Sequence, residues 1–146
     1  MEEHLARYRL ADLFLDTLPV NAHSIAGEAL WAGVPVLTCA GDAFAGRIGG
    51  SLVKAAGVPE LITYSLADYE MMAQRLANEH GMLDALRGRL ERNRSSATLF
   101  ATDRYARNIE AAYAYMVLLH AHGRPPEAFA VADLPGASPL RFTALA

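Results

Sequence analysis

Residues 12–38, DLFLDTLPVNAHSIAGEALWAGVPVLT, decide the fold. The opening Asp12-Leu-Phe-Leu-Asp16 is a short apolar run that stops at the turn-prone Thr17-Leu-Pro19-Val-Asn21, which reads as a buried strand. From residue 24 to 32 the positions of Ala26, Ala29, Leu30 and Trp31 suit a short helix. Gly33 supplies a left-handed C-terminal cap and Pro35 prevents continuation. Pro35-Val-Leu-Thr38 is then a second strand.

Working outward, a small-residue loop at 39–43 leads to a second helix over 44–56, weakened by Gly46, Gly49 and Gly50 and closed by Gly57. Glu60-Leu-Ile-Thr-Tyr64 reads as a third strand. Strand, helix, strand, helix, strand is the order of a parallel sheet with crossover helices, so the class is α/β, a partial Rossmann-like sheet of about three strands. Parallel sheets need cover on both faces, and three strands are few, so the chain reads as part of a larger doubly wound domain.

After residue 64 the pattern turns helical. Ser65 with Asp68 three residues on resembles a capping box, and Tyr69, Met72, Ala73 and Leu76 form one helical face that Gly81 should end. Leu83, Leu86 and Leu90 make a second stripe. Thr102 is expected to cap a third helix (102–119) that carries Tyr105, Ile109, Ala112, Tyr113 and Met116, of which Tyr105, Tyr113 and Met116 form a stripe read as core rather than as a stacking platform. Trp31 is read as core as well. Beyond His122, Gly-Arg-Pro-Pro and later Leu-Pro-Gly-Ala-Ser-Pro suggest a surface or disordered tail, giving segments 1–122 and 123–146.

Composition bounds the function. The 146 residues suit one domain, and a chain of this size buries roughly two-thirds of its unfolded surface. A net charge of −3 gives little pull toward nucleic acid or anionic membrane. The single cysteine, Cys39, excludes an intrachain disulfide and a cysteine-based zinc cluster, and fits a reducing compartment. No apolar run nears the roughly 18 residues that a spanning helix needs, and MEEHLARYRL lacks a signal-peptide core. A soluble, cytoplasmic protein is expected, with no metal and no membrane or nucleic-acid partner.

The chemistry concentrates in residues 16–28. A polar loop at the carboxyl end of a strand, followed at once by a helix start, is where ligands bind in open α/β sheets. Unpaired helix amides favour phosphate; Ser24 adds a hydroxyl, His23 a ring nitrogen, and Glu28 an acceptor for ribose hydroxyls. By spacing alone the plainer alternative is preferred: Asn21 or Ser24 as an ordinary cap, and His23 as a solvated loop residue. Arg87, Arg89, Arg92 and Arg94 read as a solvated helix face, Arg47 as a surface residue, and His80, His120 and His122 as solvated. Cys39 has no base motif nearby and is not read as a nucleophile.

The run HLARYRLADLFLDTLPVNAHSIAGEALWAGVPVLTCAGDAFAGRIGGSLVKAAGVPELI resembles the C-terminal catalytic half of the protein O-linked N-acetylglucosaminyltransferases, SPINDLY-type enzymes in bacteria. The likeness continues through DYEMMAQRLA, LRGRLERNRSSATLFATDRYARNIEAAY and GRPPEAFAV, and LADLFLDT, N-A-H, LWAGVPVLT and PELI in this order make it specific. It implies a GT-B glycosyltransferase that takes UDP-N-acetylglucosamine and glycosylates serine or threonine hydroxyls without a metal ion. This chain would be the later part of the donor-binding domain. Carried over position by position, the resemblance implies that His4 packs on uracil and that Arg7 lies beside the base. It also implies that His23, Ser24 and Ile25 meet the diphosphate and that Glu28 holds the ribose.

The departures from that family are specific. Ser24 and Ile25 stand where paired threonines are usual, so Ile25 offers only its amide. Glu28 is one methylene longer than the usual Asp. Met1 stands at the position of a catalytically important lysine, so no catalytic residue is expected in the chain. The resemblance implies as partners a UDP-sugar, a protein acceptor, the N-terminal catalytic half and tetratricopeptide repeats. The expectation is the donor-binding portion of such a transferase, not active alone. The alternative is a non-catalytic remnant that binds nucleotide or a partner protein.

Overall fold

The strand expected at 35–38 lies at the centre of the fold. In a computed structural model, which describes residues 2–131 and 142–144, it is β2 (Val36–Cys39), with all four residues buried. A strand covered on both faces must be apolar along its length, and only Thr38 interrupts this run. β1 (Phe14–Leu15) and β3 (Ile62–Thr63) flank it, both parallel, in the order β1-β2-β3. Phe14 lies opposite Val36, and Thr38 opposite Ile62. The expected three-stranded parallel α/β core is present.

The outer strands are shorter than the runs 12–16 and 60–64. Asp16 N still donates to Leu37 O at 3.0 Å, but its side chain is committed to the next loop. Residues Pro59–Leu61 form a 3-10 turn, where the proline needs no donor.

The chain forms two compact units, Met1–Phe100 and Ala101–Ala146. In the first, α1 (Glu2–Tyr8), α2 (Ser24–Ala32), α3 (Ile48–Ala55), α4 (Leu66–Asn78) and α5 (His80–Asn93) accompany the sheet. One core joins Ala26, Ala29 and Leu30 of α2, Val36 and Leu37 of β2, Val53 of α3, Leu76 of α4 and Leu83, Leu86 and Leu90 of α5. The leucine stripe of α5 is thus buried as its spacing indicated. Gly33 has the left-handed φ of 88°, and Val34 N closes on Ala29 O at 2.8 Å, the cap that the sequence called for. Ser65 caps α4: its Oγ accepts from Asp68 N at 3.1 Å and donates to Asp68 Oδ2 at 2.6 Å.

Several expectations are corrected. The helix over 44–56 is a 3-10 turn, Phe44–Gly46, followed by α3. The first turn is diverted because Ala45 O accepts from Asn21 N (2.9 Å) and Gly46 O from Gly41 N (2.8 Å). α4 ends at Asn78, not at Gly81, because Glu79 leaves the helical region at φ −103° and ψ 75°. Gly81 lies in the first turn of α5.

In the second unit, α6 (Thr102–Ala121) has Ala101 at its N-cap, with no side-chain cap bond; Thr102 is its first helical residue. Tyr105, Tyr113 and Met116 are exposed, so the stripe read as core is not core. The helix instead turns Tyr115 onto Phe129, ring centroids 4.7 Å apart, with the Tyr115 hydroxyl donating to Glu127 at 2.6 Å. The expected tail contains a hairpin-like pair, β4 (Phe129–Val131) antiparallel to β5 (Phe142–Ala144). The Leu-Pro-Gly-Ala-Ser-Pro segment and Met1 lie outside the described residues. Among the described residues no helix is long and apolar enough to cross a membrane.

Candidate functional site

The loop between β1 and α2 is fixed from beneath. Asp16 is buried, and its Oδ1 accepts from Thr17 N (2.8 Å) and Ala22 N (2.7 Å), which closes the loop on itself. Its Oδ2 accepts from the Thr38 hydroxyl at 2.7 Å, tying the loop to β2. Asn21, also buried, donates to Thr17 O (3.1 Å) and accepts from Gly49 N (3.2 Å). Tyr69 of α4 donates to Asp16 O at 2.9 Å. A buried carboxylate is tolerable only with its lone pairs filled, and here three donors fill them.

This base presents the start of α2 to solvent. His23 is the N-cap residue and makes no side-chain cap bond. Gly27 is the first amide to bond within the helix, to His23 O at 3.1 Å, so the amides of Ser24, Ile25 and Ala26 have no intrahelical acceptor. His23, Ser24 and Ile25 are exposed. Free amides at the positive end of a helix dipole favour an anion.

One turn further on, Glu28 meets α1. His4 Nε2 lies 3.0 Å from Glu28 Oε2, and the Tyr8 hydroxyl donates to the same oxygen at 3.0 Å. Tyr8 also reaches Ile25 O at 3.4 Å, and the His4 and Tyr8 rings meet edge to face at 5.6 Å. The hydrogen bond from His4, then that from Tyr8, holds the Glu28 carboxyl below its usual range. Burial, then the hydrogen bond to Glu28 and its charge, pushes the Tyr8 phenol up.

Of the residues singled out in the sequence, the structure brings His4 to Glu28 and places His23, Ser24 and Ile25 on the same helix start. Arg7 is largely exposed, and its ion-pair partner is Glu3 at 3.7 Å. Tyr8, Asp16, Thr38 and Gly49 were not read as contributing. The signal for Tyr8 was its place four residues after His4, one helical turn on the same face.

Beside Glu28 runs a groove of about 490 Å³ lined by Leu5, Ser24, Gly27, Glu28, Trp31, Leu99 and Phe100. Trp31, read as core, is 43% exposed there, packed edge-on against Phe100 at 4.9 Å with the Arg94 guanidinium over its ring. Arg92 is exposed as the sequence suggested, while two of its neighbours on α5 are ion-paired. Arg87 donates to Ala11 O and pairs with Asp12, and Arg89 pairs with Glu60.

A parallel sheet that offers a helix N-terminus and a carboxylate beyond the carboxyl end of a strand is the construction of Rossmann-like α/β proteins. Glycosyl transferase family 41 matches residues 1–109, and the chain belongs to that family. It is 39% identical to the probable UDP-N-acetylglucosamine–peptide N-acetylglucosaminyltransferase SEC of Arabidopsis thaliana, over 90% of this chain and 14% of that protein. It is 34% identical to the UDP-N-acetylglucosamine–peptide N-acetylglucosaminyltransferase of Caenorhabditis elegans, over 85% of this chain and 11% of that one. Among solved structures it is similar to a mutant O-GlcNAc transferase of Thermobaculum terrenum. The TM-score is 0.75 with 36% identity, over 80% of this chain and 22% of the other. The chain thus spans a small part of the proteins it matches.

Proposed function

We propose that this chain is the UDP-sugar-binding portion of a protein O-GlcNAc transferase, which moves N-acetylglucosamine from UDP-N-acetylglucosamine to serine or threonine hydroxyls. The observation that supports it is the Glu28 carboxylate standing one turn behind the unbonded amides of Ser24 and Ile25 in a chain of this family. The amides and the Ser24 hydroxyl receive the diphosphate, with His23 beside it. Glu28 accepts from the ribose hydroxyls. His4 and Arg7 flank the base. No metal is part of this reading, since helix amides and dipole supply the positive potential. The partners in this reading are the UDP-sugar, a protein acceptor, the other catalytic half and tetratricopeptide repeats, in the cytoplasm.

Calorimetric titration of UDP and of inorganic phosphate into the wild type, His23→Ala and Glu28→Ala tests this. Glu28→Ala should weaken UDP about 5- to 150-fold while weakening phosphate much less, and His23→Ala should weaken both. UDP binding that neither substitution changes would place the nucleotide elsewhere and overturn the assignment.

A further inference from the structure

We propose that Tyr8 is a positioning residue for ribose recognition: with His4 it anchors one oxygen of the Glu28 carboxylate and leaves the other to receive the sugar hydroxyls. This rests on the reading of Glu28 as the ribose acceptor.

Both contacts fall on Oε2. His4 Nε2 and the Tyr8 hydroxyl each lie 3.0 Å from it, while Oε1 has no hydrogen-bond partner among the described residues. A glutamate on a helix surface samples several rotamers, and fixing them costs side-chain entropy when a ligand arrives. Two donors on one oxygen meet that cost before binding and fix the direction of the other oxygen's lone pairs. The anchor is itself well placed. His4 and Tyr8 are one turn apart on α1, so the same helical face carries both. The Tyr8 hydroxyl lies 3.4 Å from Ile25 O and is partly buried, so it is held over α2 rather than swinging in solvent.

The length of the side chain belongs to the same device. Glutamate reaches the α1 donors from position 28, and the same residue lines the groove shared with Ser24 and Gly27. Tyr8 acts through Glu28.

The test compares wild type, Tyr8→Phe and Glu28→Ala, each titrated with UDP and with 2′,3′-dideoxyuridine diphosphate, which lacks both ribose hydroxyls. The Glu28 carboxyl is followed by carbon-detected NMR across the acid range. Tyr8→Phe should weaken UDP about three- to tenfold, leave the dideoxy compound unchanged, and raise the Glu28 titration midpoint. Adding it to Glu28→Ala should cost nothing further. Equal weakening of both nucleotides, or a Glu28 midpoint that does not move, would overturn the role of Tyr8. If Glu28→Ala still abolishes the preference for UDP in that case, the ribose reading stands without Tyr8. A wild type that binds the two nucleotides alike would overturn the ribose reading and this inference with it.

Discussion

Gly49 of α3 stands directly over the carboxylate of Asp16: a Cβ on Gly49 would overlap Asp16 Oδ2 and lie 2.5 Å from Thr38 Oγ1. The glycine inside this helix is therefore not a weak helix former tolerated by chance. Its missing side chain is the space in which the buried hydrogen bonds beneath the β1–α2 loop are made. Because Gly49 N also donates to Asn21 Oδ1 at 3.2 Å, helix and loop cannot separate without breaking the network.

Gly49→Ala should accordingly destabilise the protein by about 2–4 kcal/mol, the sum of overpacking and at least one broken buried hydrogen bond. Gly27→Ala is the control, since a Cβ there meets nothing within 4 Å. It should be neutral or stabilising by up to about 1 kcal/mol, as alanine is the better helix former. Urea denaturation of both variants measures the difference.

The Tyr69 phenol is pushed up from its usual 10.0 by burial first, then by the charges of Asp16 and Cys39. A group whose pKa is raised on folding contributes stability in full below the unfolded value, and that contribution is lost as pH rises through the folded value. Stability should therefore fall above about pH 10, where the unfolded phenol ionises first. Tyr69→Phe should lower stability near neutrality, by losing the bond to Asp16 O, yet flatten the alkaline decline. Denaturation curves of the two proteins between about pH 8 and about pH 11 check both halves.

Ser65 is exposed, extended at φ −142° and ψ 156°, and bonded to both the amide and the carboxylate of Asp68. Ser65→Ala removes an acceptor for an otherwise free amide at the start of α4 and should cost about 1 kcal/mol. Ser65→Asp keeps an acceptor but sets a second charge beside Asp68, and should recover only part of that loss. Thermal unfolding followed by circular dichroism ranks the three proteins.

What was legible in the sequence was local. The cap at Ser65 and the stop at Gly33-Val-Pro35 are set by near neighbours and stand where their patterns put them, and the strand read at 35–38 is present one residue later, at Val36–Cys39. The β1–α2 loop with its helix start was legible too, because a polar segment between an apolar run and a helical face has few other uses. The contributors missed were set by distant contacts. Tyr8 and Glu28 are 20 residues apart, and Asp16 and Thr38 are 22 apart, so no periodicity links them. The helix over 44–56 was overextended for the same reason: Asn21 takes the Ala45 carbonyl away from the helical ladder. On α6 the alternation of Tyr105, Tyr113 and Met116 fits a helical face, but periodicity marks a face without saying what covers it.

Acid should act on the contact between Glu28 and α1. The hydrogen bond from His4, and after it the one from Tyr8, lowers the Glu28 carboxyl below its usual 4.5. A carboxyl depressed on folding contributes stability above its unfolded value and loses it as pH falls through the folded value, so the α1–α2 contact should loosen only below about pH 4.5. The same titration governs the proposed ligand, because a protonated Glu28 accepts poorly from ribose hydroxyls. The preference for UDP over 2′,3′-dideoxyuridine diphosphate, which carries the same diphosphate, should therefore hold as pH falls to that range and then decline. In His4→Ala the midpoint of that decline should move up toward 4.5, and by more than in Tyr8→Phe, following the order of the two causes. Titrations of both nucleotides at a series of acidic pH values, with the Glu28 carboxyl followed by NMR, measure both midpoints. Midpoints that stay together in all three proteins would show that His4 does not hold the carboxylate in its charged form.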